Sequence, residues 1–252
     1  MALHSHRWAV AATVFFSGGV TNGCVFYGLS LFVHPLALEF GWSRTLINGA
    51  LSAGQIGMAA ANPPCGHWLK RFGPWRLGTA ALLVVAAAFV LLATLPAGEV
   101  SSSGLAAVVQ LYASIMLAFT GYVAATFLGP GRLVATWFAP SRRGRMMGIV
   151  TAGNNFGGMS MTLLAALCMA QFGQWRAAAW MFAIAVGCCA VLYSAVVRDR
   201  PSETCEVEEK GGDEEGKEEE EKGEEEEGKK EEEKGEEEEG KEEVVPTSST
   251  TV

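Results

Sequence analysis

Six long apolar runs, which contain almost no charged side chains, dominate the first 200 residues of this 252-residue chain. An α-helix rises about 1.5 Å per residue, so about 20 apolar residues cross the roughly 30 Å hydrocarbon core of a bilayer. The acids of this stretch are Glu39, Glu99 and Asp199. We therefore predict an all-α, polytopic membrane bundle of six transmembrane helices. Spans one to six are predicted over residues 8–33, 45–65, 77–95, 105–138 (broken by Gly129-Pro130-Gly131), 146–170 and 177–197.

The distribution of cations predicts how these spans are oriented. With both ends of the chain on one side of the membrane, the opposite side carries only Arg44 and Arg176. By the positive-inside rule, the cation-rich side is cytoplasmic. We predict a multi-pass protein with both termini in the cytosol, and we favour the plasma membrane over an organelle. The cations on the cytoplasmic side are Arg7, Lys70, Arg71, Arg76, Arg142, Arg143, Arg145, Arg198 and Arg200.

Residues 201–252 differ in composition from the rest of the chain. They hold 7 lysines and 24 acids, a net charge of −17, whereas residues 1–200 have a net charge of +9. The block EEEKGEEEEGK at residues 219–229 recurs at residues 231–241. Self-repelling, low-complexity sequence cannot bury enough apolar surface to offset its chain entropy. The sequence thus predicts a transmembrane domain over residues 1–200 and a disordered, acidic cytosolic tail over residues 201–252.

The chain ends in a pattern that fits one kind of protein partner. Thr250 places a hydroxyl two positions before the apolar terminal residue Val252. This arrangement is typical of ligands that add a strand to a PDZ domain, so a PDZ-type partner is one prediction. The acidic repeat would serve equally well as an unspecific spacer.

The sequence offers no pattern for catalysis, metal binding or nucleic-acid binding. Its six cysteines lack metal-ligand spacing, and Cys188 and Cys189 are neighbours that point to different faces of a helix. Residues 1–200 contain no nucleophile elbow, no phosphate-binding glycine loop and no carboxylate pair. We therefore expect no enzyme activity, cofactor, metal or nucleic-acid partner.

Two short cationic segments resemble parts of a known family. Gly66-His-Trp-Leu-Lys-Arg-Phe-Gly73-Pro-Trp-Arg76 resembles the signature loop between the second and third helices of the major facilitator superfamily. The matching residues are Gly66, Arg71, Gly73 and Arg76, whereas Lys70 stands where the family has an aspartate.

Other segments are similar to a group within that superfamily, the monocarboxylate transporters and oxalate/formate antiporters. They are Pro35-Leu-Ala-Leu-Glu-Phe-Gly-Trp-Ser-Arg44, Trp137-Phe138 followed by Arg142-Arg143-Gly144, and Gly148-Ile-Val-Thr-Ala-Gly153. The resemblance covers residues 7–201, equivalent to the amino-terminal six-helix half of a twelve-helix carrier. It implies transport of small monocarboxylates or related organic anions by a half-carrier that pairs with itself or with a separate carboxyl half. The alternative is a truncated remnant without transport activity, or a membrane interaction or scaffold protein.

The resemblance also implies a transport pathway lined by polar residues of spans one, two, four and five. A polar group facing lipid is costly, so these side chains are expected to face the bundle interior or water. Each could instead join two helices by a hydrogen bond. Tyr27 is the first choice, because it falls about where animal monocarboxylate transporters place a reactive lysine. Arg132 either binds the anion or extends to the nearby cytoplasmic interface, and we favour the second. The candidate substrate-binding residues are Asn22, Tyr27, Asn48, Gln55, Tyr122, Arg132, Asn154 and Asn155.

The cationic segments themselves are candidates for conformational gating. In carriers that rock two bundles about a central site, short cytoplasmic loops make and release latching contacts. Here Gly66 and Gly73 are expected to permit a tight turn and a close approach of the backbone. The alternative is that the cations only fix the topology. The candidate gating residues are Gly66, Lys70, Arg71, Gly73, Arg76, Arg142, Arg143 and Gly144.

Glycine spacing within two of the spans fits close helix packing. Gly19 and Gly23 in span one, and Gly153 and Gly157 in span five, are each four residues apart. Small residues at this interval allow two membrane helices to approach closely.

Overall fold

The computed structural model describes residues 2–96, 104–137 and 140–197, and within these residues the regular structure is helical throughout. The prediction of an all-α membrane bundle is confirmed. The predicted cytosolic tail and the terminal PDZ-type pattern lie outside the described residues. In chain order the elements are α1 (Ala2–Asn22), a first π segment (Gly23–Tyr27), a 3-10 segment (Gly28–Phe32), α2 (Val33–Phe40), α3 (Arg44–Ala93), α4 (Gly104–Val123), a second π segment (Ala124–Leu128), α5 (Gly129–Trp137), α6 (Pro140–Phe172) and α7 (Trp175–Val196).

Most of the predicted spans are long and apolar enough to cross a membrane. The 50 residues of α3 comprise two helices joined at the non-helical Gly73, and these two halves hold span two and span three. Helix α6 occupies the position of span five but is less apolar than the others, because glycine, asparagine and serine are frequent in it. The stretches that meet the length and hydropathy expected of a crossing are Trp8–Phe40, Arg44–Ala93, Gly104–Thr136 and Trp175–Val196.

Span one is longer and less regular than predicted. The prediction covers residues 8–33, but the helical stretch continues to Phe40 and ends at Gly41, whose φ of 66° terminates a helix. The first π segment and the 3-10 segment interrupt it near the middle. In the π segment the N–H of Gly28 donates to the carbonyl of Gly23, five residues back, so the helix locally widens.

In span four the helix is irregular slightly before the predicted break. The prediction places the break at residues 129–131, whereas the irregular backbone is the second π segment, which directly precedes them. Pro130 has no N–H to donate to the carbonyl of Thr126, and in a regular helix its ring would clash with that carbonyl. The N–H of Gly129 instead reaches the carbonyl of Ala124. The proline therefore accounts for a break that lies on its amino-terminal side.

The two cationic segments predicted as loops are mostly helical. Residues 66–72 continue the first half of α3, and the turn is confined to Gly73, whose φ of 79° and ψ of 164° require a glycine. At Gly66 no atom of the described residues lies within 4 Å of the place where its Cβ would be, so these residues make no close approach there. Residues 142–148 belong to the first turns of α6, since Pro140 occupies a helix start, where an N–H is not needed.

Close packing at glycines brings the helices together. The glycines whose spacing fits close packing lie against one another in the structure: a Cβ on Gly19 would lie 2.6 Å from the carbonyl oxygen of Gly153, and Gly157 lies directly against the backbone of Gly19. Helix α3 packs on α4 and α7, and α7 also packs on α1. In the core, the ring of Phe182 on α7 contacts those of Phe32 and Phe89 at centroid distances of 5.8 and 5.3 Å.

Candidate functional site

A buried polar cluster joins spans one, four and five in the interior of the bundle. The hydroxyl of Tyr122 donates to Oδ1 of Asn22 at 2.6 Å. Nδ2 of Asn22 donates to the backbone carbonyl of Asn154 at 2.8 Å. All three residues are at least nine-tenths buried. Among the candidate substrate-binding residues, these are the ones that the structure links by hydrogen bonds.

Local backbone irregularities position this cluster. Asn22 is the last residue of α1, directly before the first π segment, and Tyr122 lies two residues before the second π segment. Isolated π segments inside α helices are frequent at functional sites, because they redirect side chains and leave backbone groups in unusual positions. The glycine contact described above brings Asn154 on α6 close to α1. The two π segments and the close crossing of α1 and α6 therefore all lie next to the cluster of Asn22, Tyr122 and Asn154.

Two buried polar atoms close to these elements lack a hydrogen-bond partner among the described residues. They are Oδ1 of Asn154 and Oγ1 of Thr126, which belongs to the second π segment. Oδ1 of Asn154 lies against Gly18, 2.9 Å from the place where a Cβ would be. A buried polar atom without a partner costs free energy, and native proteins retain few of them. The unused hydrogen-bonding capacity is consistent with a site that also binds water or a polar ligand.

Aromatic side chains form an open wall beside the cluster. The ring of Phe26 lies 6.0 Å from that of Tyr122 and 6.1 Å from that of Tyr27, and Phe127 lies 5.7 Å from Tyr122. Phe26, Tyr27 and Phe127 are each about half exposed, while Tyr122 is buried behind them. Tyr27 also packs against Gly158 of α6. Tyr27 is thus partly accessible, and its ring lies beside Phe26, which contacts Tyr122 of the buried cluster.

The other candidate substrate-binding residues lie outside the cluster. The side chains of Asn48, Gln55, Arg132 and Asn155 are all exposed, and none of them hydrogen-bonds to another described residue. Asn155 follows Asn154 directly, but one residue corresponds to about 100° of helix rotation, so the two amides face different surroundings. These four side chains therefore point away from the interior of this bundle.

The candidate gating residues are placed on the exposed ends of helices. The side chains of Lys70, Arg71, Arg76 and Arg142 are exposed, and Arg143 is half-buried. The guanidinium of Arg71 lies 5.4 Å from the ring centroid of Phe72. Gly73 makes the turn, whereas Gly66 lies within a helix, and Gly144 is exposed on α6 with open space around it.

A group of polar contacts at the opposite end of the bundle is absent from the sequence-based predictions. Nη1 of Arg176 forms an ion pair with Oε1 of Glu39 at 2.6 Å, and Nε1 of Trp175 donates to the same carboxylate. Nη2 of Arg176 donates to the carbonyl of Leu95 at 3.0 Å. The sequence contains a signal for this ion pair. Glu39 is one of three acids in residues 1–200, and Arg176 is predicted on the same membrane side.

Sequence comparison assigns the family. Residues 15–238, well over half of the chain, match the Major Facilitator Superfamily. No match was found among curated proteins. Together with the helical bundle and its membrane-spanning stretches, the family match shows that the chain is an integral membrane protein and belongs to the Major Facilitator Superfamily of membrane transporters.

Proposed function

We propose that this protein transports small monocarboxylates or related organic anions along a pathway formed by spans one, two, four and five. One observation carries the proposal: the accessible phenol of Tyr27 lies beside a buried polar cluster at the irregular segments of spans one and four. A transport site needs polar groups at membrane depth that a substrate can reach, held by a rigid interior.

The charge of the bundle favours an anion. Within residues 2–96, 104–137 and 140–197, Glu39 is the acid present, and its charge is compensated by Arg176 at one end of the bundle. The exposed polar side chains supply hydrogen-bond donors that suit a carboxylate: the hydroxyl of Tyr27, the amides of Asn48, Gln55 and Asn155, and the guanidinium of Arg132.

The aromatic wall favours a small substrate with an apolar part. Phe26, Tyr27 and Phe127 present ring surface next to the hydroxyl of Tyr27. Small-molecule sites commonly combine such apolar surface with a few polar groups that fix orientation. A short-chain monocarboxylate has one carboxylate for the donors and one alkyl group for the rings.

The exposed amides also favour a pathway that has a second wall, formed by another protein surface. Asn48, Gln55 and Asn155 lie in transmembrane stretches or helices, and a polar side chain facing hydrocarbon is costly. Contact with water or with another protein surface removes this cost. We therefore include in the proposal a second copy of the chain or a separate carboxyl-half partner, with Lys70, Arg71, Arg76, Arg142 and Arg143 as latching cations at the rim.

The proposal is tested by uptake into proteoliposomes that contain the purified full chain. We expect saturable uptake of a labelled short-chain monocarboxylate such as acetate, propionate or lactate, and Tyr27→Phe should raise the half-saturation concentration about tenfold or more, because a hydrogen bond to a charged group is lost. Tyr112→Phe is the matched control, since this phenol donates to the carbonyl of Leu46 and lies outside the proposed pathway.

Two outcomes would contradict the proposal. Equal effects of Tyr27→Phe and Tyr112→Phe would remove Tyr27 from the pathway. A folded chain that takes up none of these anions, alone or with its membrane partners, would favour the alternative role as a membrane interaction protein.

A further inference from the structure

An apolar groove opens at the turn between spans two and three. It has a volume of about 340 Å³, and almost all of the surface that lines it is apolar. Trp68 and Phe72 contribute from the first half of α3, Arg76, Ala80 and Val84 from the second half, and Gly121 from α4. Arg76 is the charged residue of the lining, and it lies at the end nearest to the turn.

The depth of the groove follows from the helix geometry. Arg76 and Val84 are eight residues apart on one helix, which corresponds to about 12 Å along its axis. Gly121 forms part of the deeper wall, where α4 approaches α3 so closely that a Cβ would lie 2.8 Å from the carbonyl oxygen of Ala81. The groove therefore runs from the helix ends, near headgroup level, into the hydrocarbon region.

The charge at the mouth of the groove has no acidic partner in the part of the chain that the structure describes. Residues 66–76 carry Lys70, Arg71 and Arg76 and no acid. Arg76 is exposed, and it forms no ion pair or hydrogen bond with any other described residue. Trp68 and Phe72 are both about half exposed, as is usual for aromatic side chains at a membrane interface. A cationic mouth above an apolar channel matches the two parts of an anionic phospholipid.

We propose that this groove binds one anionic phospholipid from the adjacent leaflet, with an acyl chain along Ala80, Val84 and Gly121 and its phosphate on Arg76. None of the candidate substrate-binding residues lines this groove, which shares only Arg76 with the proposed latching cations and lies where α3 turns at Gly73. A bound lipid would contact both halves of α3 and therefore stabilise their relative orientation.

The first experiment measures lipid retention by native mass spectrometry of the full chain titrated with phosphatidylglycerol or phosphatidylcholine. We expect one phosphatidylglycerol molecule to bind in preference to phosphatidylcholine. Arg76→Gln should weaken phosphatidylglycerol binding about fivefold, the effect of one cation near an anionic lipid surface, whereas Arg76→Lys should retain most of it. Ala80→Phe should weaken binding of both lipids, because the ring would fill the groove.

Arg145→Gln is the matched control, since it removes one exposed cation from α6, outside the groove. Equal binding of the two lipids, an equal loss in Arg145→Gln and Arg76→Gln, or undiminished binding by a folded Ala80→Phe variant would each overturn the proposal.

A second experiment uses the unaltered chain, so its outcome does not depend on how a variant folds. A phosphatidylglycerol analogue with a photoactivatable group in the acyl chain should label peptides that contain residues 77–84 or 120–124. If a helix of a second protein fills the groove in the membrane, the lipid is excluded and these peptides stay unlabelled, which would overturn the proposal.

Discussion

Asn22 uses both ends of its side-chain amide. Its Oδ1 accepts from Tyr122 and its Nδ2 donates to Asn154, so one residue ties span one to spans four and five. Because the amide is buried, neither contact can be replaced by water without opening the bundle. The cluster therefore acts as a link between helices as well as a lining for the proposed site.

Removal of the Tyr122 hydroxyl tests this link. Tyr122→Phe leaves Oδ1 of Asn22 buried without a donor, so we expect the free energy of unfolding to fall by about 1 to 2 kcal/mol. Unfolding in detergent, followed by circular dichroism, measures the change. Asn22→Ala combined with Tyr122→Phe should cost less than the sum of the two single changes. Full additivity of the two changes would show that the hydrogen bond contributes nothing.

The cluster could be predicted from the sequence only in part. Polarity within apolar runs drew attention to Asn22, Tyr122 and Asn154, which the structure joins by hydrogen bonds. It could not separate Asn154, which is buried, from Asn155, which is exposed, because helix phase depends on where each helix deviates from regular geometry. The ion pair of Glu39 and Arg176 was missed for another reason: these residues are far apart in sequence and meet only when the helices pack.

Among the helices, the crossing of α1 and α6 depends on residues without side chains. A Cβ at Gly157 would collide with the backbone of Gly19, so the two helices are about as close as their backbones permit. Gly148 lies on the same helix, with no atom within 4 Å of the place where its Cβ would be. A substitution at Gly157 therefore tests the packing of the two helices, whereas a substitution at Gly148 tests only the helix preference of the new residue.

Alanine substitution at these glycines gives opposite expected results. Gly157→Ala should lower the free energy of unfolding by about 1 to 3 kcal/mol, the usual cost of overpacking. Gly148→Ala should leave it unchanged or raise it by about 0.5 to 1 kcal/mol, because alanine is the better helix former. Thermal unfolding of both purified variants measures the difference. A Gly157→Ala variant as stable as Gly148→Ala would show that the crossing is looser than described.

The turn within α3 allows a second paired comparison. Gly73 has a φ of 79°, whereas Gly66 is helical and no described atom lies within 4 Å of the place where its Cβ would be. Gly73→Ala should therefore lower the free energy of unfolding by about 1 to 3 kcal/mol, while Gly66→Ala should be neutral or slightly stabilising. The same unfolding assay applies, and a neutral Gly73→Ala would contradict the strained conformation.

Apolar runs predicted the helices well because membrane burial imposes a minimum length on each of them. They did not predict that residues 66–72 and 142–148 are helical, since charge there indicated the end of the membrane and was interpreted as the end of the helix. The second π segment was missed by a few residues, because Pro130 acts on the carbonyl of Thr126 rather than at its own position.

For the whole molecule, the cation distribution leads to a topology prediction. Nine cations are assigned to one side and two to the other, so both termini should be cytosolic. An N-glycosylation acceptor introduced within residues 97–103 should be modified in cells, and one introduced after residue 245 should not. Modification of the tail site, or of both sites, would contradict this orientation.

The two π segments also affect how this chain should be aligned with others. A π turn holds one more residue than an α turn, so each segment is equivalent to a single-residue insertion in a regular helix. Against a relative whose helix is regular, an alignment without a gap at residues 124–128 would assign every later position of that helix a direction wrong by about 100°. In span one, the 3-10 segment that follows the first π segment winds more tightly and offsets part of this rotation. Correspondence between Arg132 and a residue of a relative therefore has to be established from the backbone path, because counting residues along the span shifts the register by one.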